Sequence, residues 1–343
     1  MQNLSSYDLI IDARSPREYQ EDHIPGAVNM PVVNDEEYAE VGTLHRKDKM
    51  GAYKIGVSYS LKNITKHLDE DLNRYDAKSR ILVYCFRGGK RSKLWVDALE
   101  TIGYQVDKLQ GGWKSYRHWV SAQLAEVPTL YRYNVLSGPT GCGKTRILNA
   151  LRDEGSQVLD LEEIASHRGS VLGSIPGKSQ PSQKYFDSLL LRQITRYDPA
   201  RVIWVEAESK KIGNVQLPDA LLETMRKKGL TIQIKTEMHQ RVLMWREDYR
   251  HFEDDPQGMV EILKYLRPLV GGDEFAAWEE IAKQNKIPEL FERLMRNHYD
   301  PAYARSLLRN YPSIESSPVI EIHDLSATGL SSIAKKMRTL FEA

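Results

Sequence analysis

Cysteine, long apolar runs and net charge are all scarce in this sequence. Only two of the 343 residues are cysteine, which excludes a disulfide framework and fits a reducing compartment such as the cytoplasm. No apolar run approaches the ~20 residues that a membrane helix needs. The first residues lack the basic segment and apolar core of a signal peptide. We therefore expect a cytoplasmic protein with no membrane partner.

The net charge of +1 argues against nonspecific nucleic-acid binding, although a local basic groove is still allowed. A chain of 343 residues is long for one core and suggests two domains. Strands that alternate with helices predict parallel α/β sheets. We place one domain at residues 1–127 and the other at 128–343. Residues 34–60 are predicted to be irregular, and residues 122–130 to be a linker.

Residues 80–102 predict a strand (80–84), a glycine-rich loop and a helix (93–102). In that arrangement the loop N–H groups and the helix N-terminus attract an anion, and a cysteine at the mouth should react as thiolate. The predicted catalytic residues are Cys85, Arg87 and Arg91. The rest of the predicted anion loop is Gly88, Gly89, Lys90 and Ser92.

Four motifs are found at and around this loop: D-A-R-S-P-x-E-Y (12–19), H-I-P-G-A (23–27), Y-C-x-R-G-G-x-R-S (84–92) and Q-G-G-W (110–113). Together they resemble those of rhodanese domains, over about residues 5–122. The loop from Cys85 to Arg91 has seven residues, the C-x5-R length of rhodanese-like phosphatases, whereas most sulfur-transferring rhodaneses have six. The wider loop should accept a tetrahedral, phosphate-sized anion. An inert docking module, the alternative, usually lacks the cysteine.

A second strand, loop and helix follow at 131–137, 138–145 and 146–152. The loop reads G-P-T-G-C-G-K-T, the Walker A pattern in its usual strand–loop–helix context. We expect it to bind phosphate or diphosphate through backbone N–H groups and the lysine, while its threonine could hold Mg²⁺. The predicted binding residues are Gly138, Gly141, Cys142, Gly143, Lys144 and Thr145. Cys142 could be a second nucleophile, but a tolerated small residue is the favoured interpretation.

Two acidic residues follow apolar runs, Asp160 after 158–159 and Glu206 after 202–205. Either could be the Walker B carboxylate that binds Mg²⁺ through water, or either could cap a strand. The sequence leaves this choice open, and no metal ligand is assigned beyond Thr145, Asp160 or Glu206.

Residues 238–310 predict helix after helix without a strand. Basic and aromatic residues alternate there and could bind the phosphates and unpaired bases of tRNA. The predicted tRNA-binding residues are Arg241, Trp245, Arg246, Tyr249 and Arg250. Interleaved acidic residues leave an equal alternative, an amphipathic core helix with a solvated basic edge.

Further strings are H-R-G-S-V-L-G (167–173), Q-P-S-Q-K (180–184), V-E-A-E-S-K-K-I-G (205–213) and L-P (217–218). With a rhodanese-like domain ahead of a Walker A loop, the whole chain resembles the tRNA 2-selenouridine synthase family. The resemblance implies an enzyme that replaces sulfur by selenium in 2-thiouridine at the tRNA wobble position. It implies selenophosphate and geranyl diphosphate as co-substrates, an S-geranyl intermediate and no firm prosthetic group. Selenophosphate synthetase could be a partner.

On this resemblance, the Walker A loop would hold the diphosphate of the geranyl donor, and the Cys85 loop would hold selenophosphate. Cys85 could attack the selenium to form a perselenide, which we favour, or only help to hold the anion. Candidate substrate contacts, each of which could equally stabilise the fold, are His167, Arg168, Ser170, Glu206, Glu208, Ser209 and Lys210.

Three alternatives are weighed against this expectation. The first is an NTP-dependent kinase or NTPase with a rhodanese sensor, and the second is a C-x5-R phosphatase with the P-loop domain as adaptor. The third is a non-enzymatic RNA-binding module, which would leave two anion loops with reactive residues unused.

Overall fold

The computed structural model describes residues 4–311 and 313–342, which divide into two compact units. The first unit contains Met1–Gln123 and Pro181–Arg192, and the second contains Leu124–Gln180 and Gln193–Ala343. Within the described residues, no helix combines the length and apolar character that crossing a membrane requires.

The first unit is built on a four-stranded parallel sheet with the strand order β2-β1-β3-β4. The strands are β1 (Leu9–Asp12), β2 (Val28–Asn29), β3 (Arg80–Tyr84) and β4 (Gln105–Lys108). The helices are α1 (Pro16–Glu21), α2 (Asp35–His45), α3 (Lys49–Glu70), α4 (Lys90–Ile102) and α5 (Gly112–Glu126). The predicted parallel α/β architecture is confirmed.

The prediction of irregular structure over residues 34–60 was wrong, because α2 and most of α3 lie there. Each helix has a side-chain cap at its start. The amide of Glu37 donates to Asn34 Oδ1 (2.8 Å), and the Asn34 amide donates to the Glu37 carboxylate (2.9 Å). Asp48 accepts from the Gly51 amide (2.9 Å). These capping residues, rather than an apolar periodicity, mark the two helices.

The second unit has a five-stranded parallel sheet with the order β11-β10-β5-β7-β6 and a small antiparallel pair, β8 and β9. The strands are β5 (Tyr133–Ser137), β6 (Gln157–Leu159), β7 (Ile203–Glu206), β8 (Lys211–Ile212), β9 (Val215–Gln216), β10 (Leu230–Thr236) and β11 (Val319–Ile322). The helices beside the sheet are α6 (Lys144–Asp153), α7 (Leu161–Ala165), α9 (Asp219–Lys228) and α17 (Ala327–Phe341). Most of α8 (Gln183–Ile194), which lies between α7 and β7 in the sequence, belongs to the first unit.

A helical insert lies between β10 and β11, as predicted for residues 238–310. It comprises α10 (Met238–Asp248), α11 (His251–Asp254), α12 (Pro256–Leu263), α13 (Arg267–Val270), α14 (Gly272–Lys283), α15 (Ile287–Leu294) and α16 (Asp300–Asn310). Trp245, Trp278 and Phe291 belong to its own hydrophobic core. Residues 122–130 were predicted to be a linker and are instead helical, as the end of α5 and the 3-10 turn Val127–Leu130.

Candidate active site

Cys85 lies at the carboxyl end of β3, where parallel sheets place their sites. Its Sγ accepts from the Gly89 amide at 3.2 Å and lies 3.3 Å from Ser92 Oγ. The following helix begins at Lys90, three residues earlier than predicted, so that Lys90 and Arg91 form part of its first turn. The sulfur is therefore held by the loop and by the start of a helix.

The pKa of Cys85 is lowered, although its burial alone would raise it. The hydrogen bonds from Ser92, the charge of Arg91 and the Gly89 amide together outweigh the cost of burying the thiolate. The nucleophilic form of the thiol is therefore favoured, as the sequence predicted for a cysteine in this position.

The Q-G-G-W motif shapes the Cys85 loop from outside. A Cβ on Gly112 would lie 2.1 Å from the Cys85 carbonyl oxygen, so only glycine permits the close approach of the two backbones. The amide of Trp113 donates to the same oxygen at 2.8 Å. Gly112 and Trp113 thus fix the position of the Cys85 backbone.

The D-A-R motif supports the strand end beneath the cysteine. Asp12 and Arg14 form a buried ion pair with a closest N–O distance of 2.6 Å. Asp12 also accepts from the hydroxyl of Tyr84, the residue before Cys85, at 2.7 Å. The buried charges are paired and hydrogen-bonded, as burial requires.

The three cationic residues of the loop differ in their partners. Arg91 donates to the Glu18 carboxylate at 2.6 Å, so part of its charge is already neutralised. The exposed Lys90 lies with Nζ 3.5 Å from the ring centroid of Tyr53. Arg87 is exposed and remains available to an incoming anion.

The Walker A loop of the second unit is fixed through Gly138 and Thr140. Lys144 Nζ donates to the Gly138 carbonyl at 3.0 Å, and the Gly138 amide donates to the Tyr303 hydroxyl at 2.7 Å. Arg241 donates to the Thr140 carbonyl at 2.7 Å. Tyr303 and Arg241 both come from the helical insert, which therefore holds the loop in place.

Cys142 belongs to the hydrophobic core of the second unit and is fully buried. Burial raises its pKa, although Lys144 opposes that shift. A Cβ on Gly138 would lie 2.6 Å from the Cys142 Sγ, which shows how closely the thiol is packed. These surroundings disfavour a nucleophilic role for Cys142.

Glu206 is the acidic residue that meets the Walker A loop. The Thr145 hydroxyl donates to its carboxylate at 2.7 Å. Asp160 instead caps α7 by accepting from the Glu163 amide at 2.8 Å. Of the two candidates, Glu206 is the one whose carboxylate accepts from the Walker A threonine, and its role as the Walker B carboxylate stays a prediction.

Glu206 is one of three clustered carboxylates, with Glu162 and Glu208. Their ligand oxygens all lie within 4.8 Å of one another. Burial, and then mutual repulsion, raises the pKa of Glu162 and raises that of Glu208 to about 8. The sequence analysis did not identify Glu162. The one local indication was that it lies two residues after Asp160, which follows the apolar strand β6.

A cavity of about 550 Å³ opens beside the Walker A loop. Lys144, Thr145 and the three glutamates line one part of it. Two helices supply other walls at helical spacing. They contribute Met244, Trp245 and Asp248 from α10, with Tyr249 directly after its end, and Ala302, Tyr303, Ser306, Leu307 and Asn310 from α16.

Aromatic rings form much of the cavity wall. Trp245 meets Tyr249 and Tyr299 edge-on, with ring centroids 5.3 and 5.4 Å apart. Tyr299 ends a π-helical turn, Met295–Tyr299, a feature that often marks functional sites. Sequence reasoning missed Tyr299, because no local pattern places it near a loop more than a hundred residues earlier in the chain.

The predicted substrate contacts separate into two groups. Arg168, Ser170, Glu206, Glu208 and Ser209 all line the cavity.

His167 and Lys210 do not line this cavity. His167 accepts from the Gly169 amide at 3.1 Å, and a Cβ on Gly173 would lie 2.7 Å from its ring. It therefore shapes the turn that presents Arg168. Lys210 forms an exposed ion pair with Asp219 at 2.8 Å.

The five predicted tRNA-binding side chains are not on one exposed face. Arg241, Trp245 and Tyr249 are buried, and Arg241 is ion-paired with Asp300 at 2.6 Å. Arg246 and Arg250 are exposed. The helix α10 therefore has one buried face and one exposed face, and direct RNA contact stays a prediction for the exposed arginines.

Both halves of the chain match known protein families. Residues 1–118 match the model of the rhodanese-like domain, and residues 131–259 match that of the tRNA 2-selenouridine synthase AAA domain. The tRNA 2-selenouridine synthase of Nitrosomonas europaea is 31% identical over 88% of this chain and 89% of its own length. That of Bdellovibrio bacteriovorus is 30% identical over 92% and 93%.

The chain belongs to the tRNA 2-selenouridine synthase family. The resemblance inferred from the motifs is thereby confirmed. Cys85 falls in the region matched as rhodanese-like, and the Walker A loop falls in the region matched as the family's AAA domain. The α16 wall of the cavity lies beyond that second matched region.

Proposed function

We propose that this chain modifies tRNA by replacing the sulfur of 2-thiouridine at the wobble position with selenium. The sulfur is first geranylated from geranyl diphosphate, and selenium from selenophosphate then displaces the geranylated sulfur. The observation that carries the proposal is the cavity of the second unit, where an anion-binding loop faces aromatic and apolar walls. A prenyl diphosphate has an anionic diphosphate that would meet the loop and an apolar chain that would meet the walls.

In the proposed first step the Walker A loop binds the diphosphate. Lys144 and the loop N–H groups supply positive charge where negative charge develops on the leaving group. Burial alone would lower the pKa of Lys144, but the acidic groups around it, including Cys142 and Glu206, raise it and keep the amine charged. Met244, Trp245 and Leu307 give the geranyl chain an apolar surface.

The alkylation balances without an oxidant or reductant. The thiouridine sulfur forms a bond to C1 of the geranyl group, and the C1–O bond breaks with its electron pair going to the diphosphate. The base loses its N3 proton, which leaves with the diphosphate. Alkylation also turns a poor leaving group into one that departs as a neutral thiol.

The oxygen ligands beside the loop fit Mg²⁺, which prefers carboxylate and hydroxyl oxygens. Thr145 and Glu206 would hold the ion, with Glu162 and Glu208 close by. Burial raises the pKa values of Glu162 and Glu208, and mutual repulsion, which a cation would relieve, raises them further. When bound, Mg²⁺ would neutralise charge on the diphosphate.

The selenium step is proposed for the Cys85 loop of the first unit. Selenophosphate is a tetrahedral anion, and the length of the seven-residue loop, whose Gly89 amide donates to the Cys85 sulfur, suits that shape. Selenophosphate synthetase could deliver it. The low pKa of Cys85 supports a chemical role there rather than a purely structural one.

Mass spectrometry of wobble nucleosides tests the proposal as a whole. Cells with the gene are expected to contain 2-selenouridine, and cells without it are expected to lack 2-selenouridine and geranylthiouridine. Unchanged amounts of both nucleosides after deletion would refute the proposed function. Restoring the gene on a plasmid controls for indirect effects.

One observation favours a second candidate, an NTP-dependent kinase or NTPase. The bond between Thr145 and Glu206 resembles the arrangement that holds Mg²⁺ beside a nucleotide in P-loop enzymes. This candidate predicts release of phosphate from ATP or GTP that is lost on Glu206→Gln. The proposed function predicts that diphosphate appears only when geranyl diphosphate and thiolated tRNA are both present.

A further inference from the structure

The residues around Cys85 form the pattern C-x5-R-S, with Ser92 directly after the arginine. Ser92 Oγ lies 3.3 Å from Cys85 Sγ, and the Gly89 amide donates to the same sulfur at 3.2 Å. Arg91 is held by Glu18 at 2.6 Å. A sulfur with this length of loop and these donors is placed to attack the centre of a tetrahedral oxyanion.

Selenophosphate offers a thiolate two atoms to attack. Attack on selenium would form an S–Se bond and leave the electron pair of the P–Se bond on phosphorus, so that phosphite would be released. The selenium would then be zero-valent and would need reduction before it could act as selenide. The chain has one other cysteine, Cys142, and that thiol is fully buried in a different core. No second thiol of this chain therefore supports the perselenide expected from the sequence.

We propose that Cys85 attacks the phosphorus of selenophosphate and so releases hydrogen selenide ion beside the loop. This inference rests on the proposed function for its substrate. The Cys85 thiolate forms an S–P bond with the hydrogen selenophosphate dianion, and the P–Se bond breaks with its electron pair going to selenium, which takes the proton of the dianion. The products are S-phosphocysteine and HSe⁻, and no atom changes its redox state. Water then hydrolyses the S–P bond to give phosphate and the free thiol.

The released selenide completes the modification without another co-reactant. HSe⁻ attacks C2 of the S-geranyl base, the C2–S bond breaks, and the selenium proton leaves with the geranylthiol. Hydrogen selenide is a much stronger acid than an alcohol, so its anion departs from phosphorus without a general acid. Thiolate attack on phosphorus, the chemistry of the phosphatase alternative that the loop length suggested, is thus the first part of the proposed selenium step.

Each neighbour of the sulfur has a role in this scheme. The Gly89 amide and the helix N-terminus stabilise the attacking thiolate, and Arg91 faces the added negative charge. Ser92 touches the reacting sulfur and donates to it when the thiolate leaves during hydrolysis. Glu18 is a positioning residue, since it acts by orienting Arg91.

The test uses the full chain, selenophosphate and no tRNA. Ser92→Ala is expected to slow hydrolysis of the adduct on the order of 10²-fold, the scale of a lost donor at a developing charge. After acid quench, mass spectrometry should find phosphorus on Cys85, without the selenium isotope pattern, and ³¹P NMR should find phosphate in solution. Cys85→Ser should give no adduct. Ser60→Ala, at a buried serine bonded within α3, is the matched control and should behave as wild type.

Selenium on Cys85 together with phosphite in solution would overturn the inference. So would release of phosphate and selenide that survives in Cys85→Ser, because phosphate would then form without the cysteine. The experiment is independent of the nucleoside test. If deletion leaves 2-selenouridine unchanged while Cys85 is phosphorylated, the proposed function fails and the phosphoryl step stands.

Discussion

The two cysteines of this chain lie in the same kind of local structure and differ in chemistry. Each follows a parallel strand and precedes a helix within a glycine-rich loop. The pKa of Cys85 is lowered by Ser92, Arg91 and a loop amide, whereas burial raises the pKa of Cys142. Both cysteines are buried and belong to hydrophobic cores, so the difference lies in the groups around each sulfur. Cys85 Sγ lies beside Ser92 Oγ and the Gly89 amide, whereas Cys142 Sγ has Lys144 Nζ at 3.9 Å.

The comparison extends to how each loop handles an anion. In the first loop the reactive group is the cysteine itself, and the cations nearby are shared with Glu18 or exposed. In the second, the charge comes from Lys144, and the loop is braced by Tyr303 from the helical insert. A strand–loop–helix pattern therefore indicates anion binding, while the groups around it decide between nucleophilic and electrostatic chemistry.

The largest difference is expected from exchanging each sulfur for oxygen. Cys85→Ser should lower selenation of tRNA about 10³-fold or more, since the nucleophile is lost, and should spare geranylation. Cys142→Ser should leave selenation unchanged, because its thiol is in the core. Nucleoside mass spectrometry after incubation with purified enzyme measures both reactions. Selenation that survives in Cys85→Ser would remove the contrast between the loops.

Removing the amine of Lys144 should have the opposite effect to Cys85→Ser: geranylation should be lost and selenation kept. Lys144→Ala is expected to lower the rate of geranylation by about 10²–10³-fold, because the leaving diphosphate loses its nearest cation. Selenation of RNA that already carries S-geranylthiouridine should be unaffected. Lys210→Ala, whose amine pairs with Asp219 away from the cavity, is the matched control. Equal losses in both lysine variants would show that the cavity is not the geranylation site.

A third contrast concerns stability and compares two glycines near Cys85, Gly112 at the start of α5 and Gly89 in the Cys85 loop. Gly112→Ala would place a Cβ 2.1 Å from the Cys85 carbonyl oxygen and should lower the free energy of unfolding by about 2–4 kcal/mol. Gly89→Ala should change it little, because no atom lies within 4 Å of its Cβ position. Urea unfolding of the full chain measures both. A tolerated Gly112→Ala would mean that the loop can move away from α5.

The smallest effect is expected in the pH dependence of thiol reactivity. The thiolate is the reactive form, so alkylation of Cys85 by iodoacetamide should rise with pH and level off below the pH usual for free cysteine. Ser92→Ala should move the midpoint upward by about one unit at most. Cys142 should stay unmodified over the same range, because its pKa is raised and its side chain is 0% exposed, compared with 3% for Cys85. A midpoint for Cys85 above that of free cysteine would contradict the comparison.

Much of this architecture is readable from local sequence. The strands before Cys85 and Gly138, the Walker A loop and the helical insert all carry local signals, namely apolar runs, glycine spacing and helix periodicity. The helices at residues 34–60 were missed because they are polar. Their signals are the caps at Asn34 and Asp48, which an apolar pattern does not reveal.

The cavity could not be predicted in the same way. Glu162, Tyr299 and Tyr303 meet the Walker A loop through tertiary packing, and nothing in their own neighbourhoods marks that meeting. For the same reason Trp245 and Tyr249 looked like an exposed RNA-stacking surface, although their side chains are buried against the insert core. A helical wheel gives the face of a helix but not the partner that covers it.

The first unit includes the segment Pro181–Arg192 from much later in the sequence. This affects which fragments of the enzyme can be expected to fold. Within Pro181–Arg192, Ser188 donates to the buried Asp22 at 3.3 Å, and Asp187 accepts from Arg117 at 2.9 Å. A fragment ending near residue 127 would leave these groups without their partners and is expected to fold poorly. Adding a peptide of residues 181–194 in trans should rescue it, as in a split protein that reassembles from two fragments.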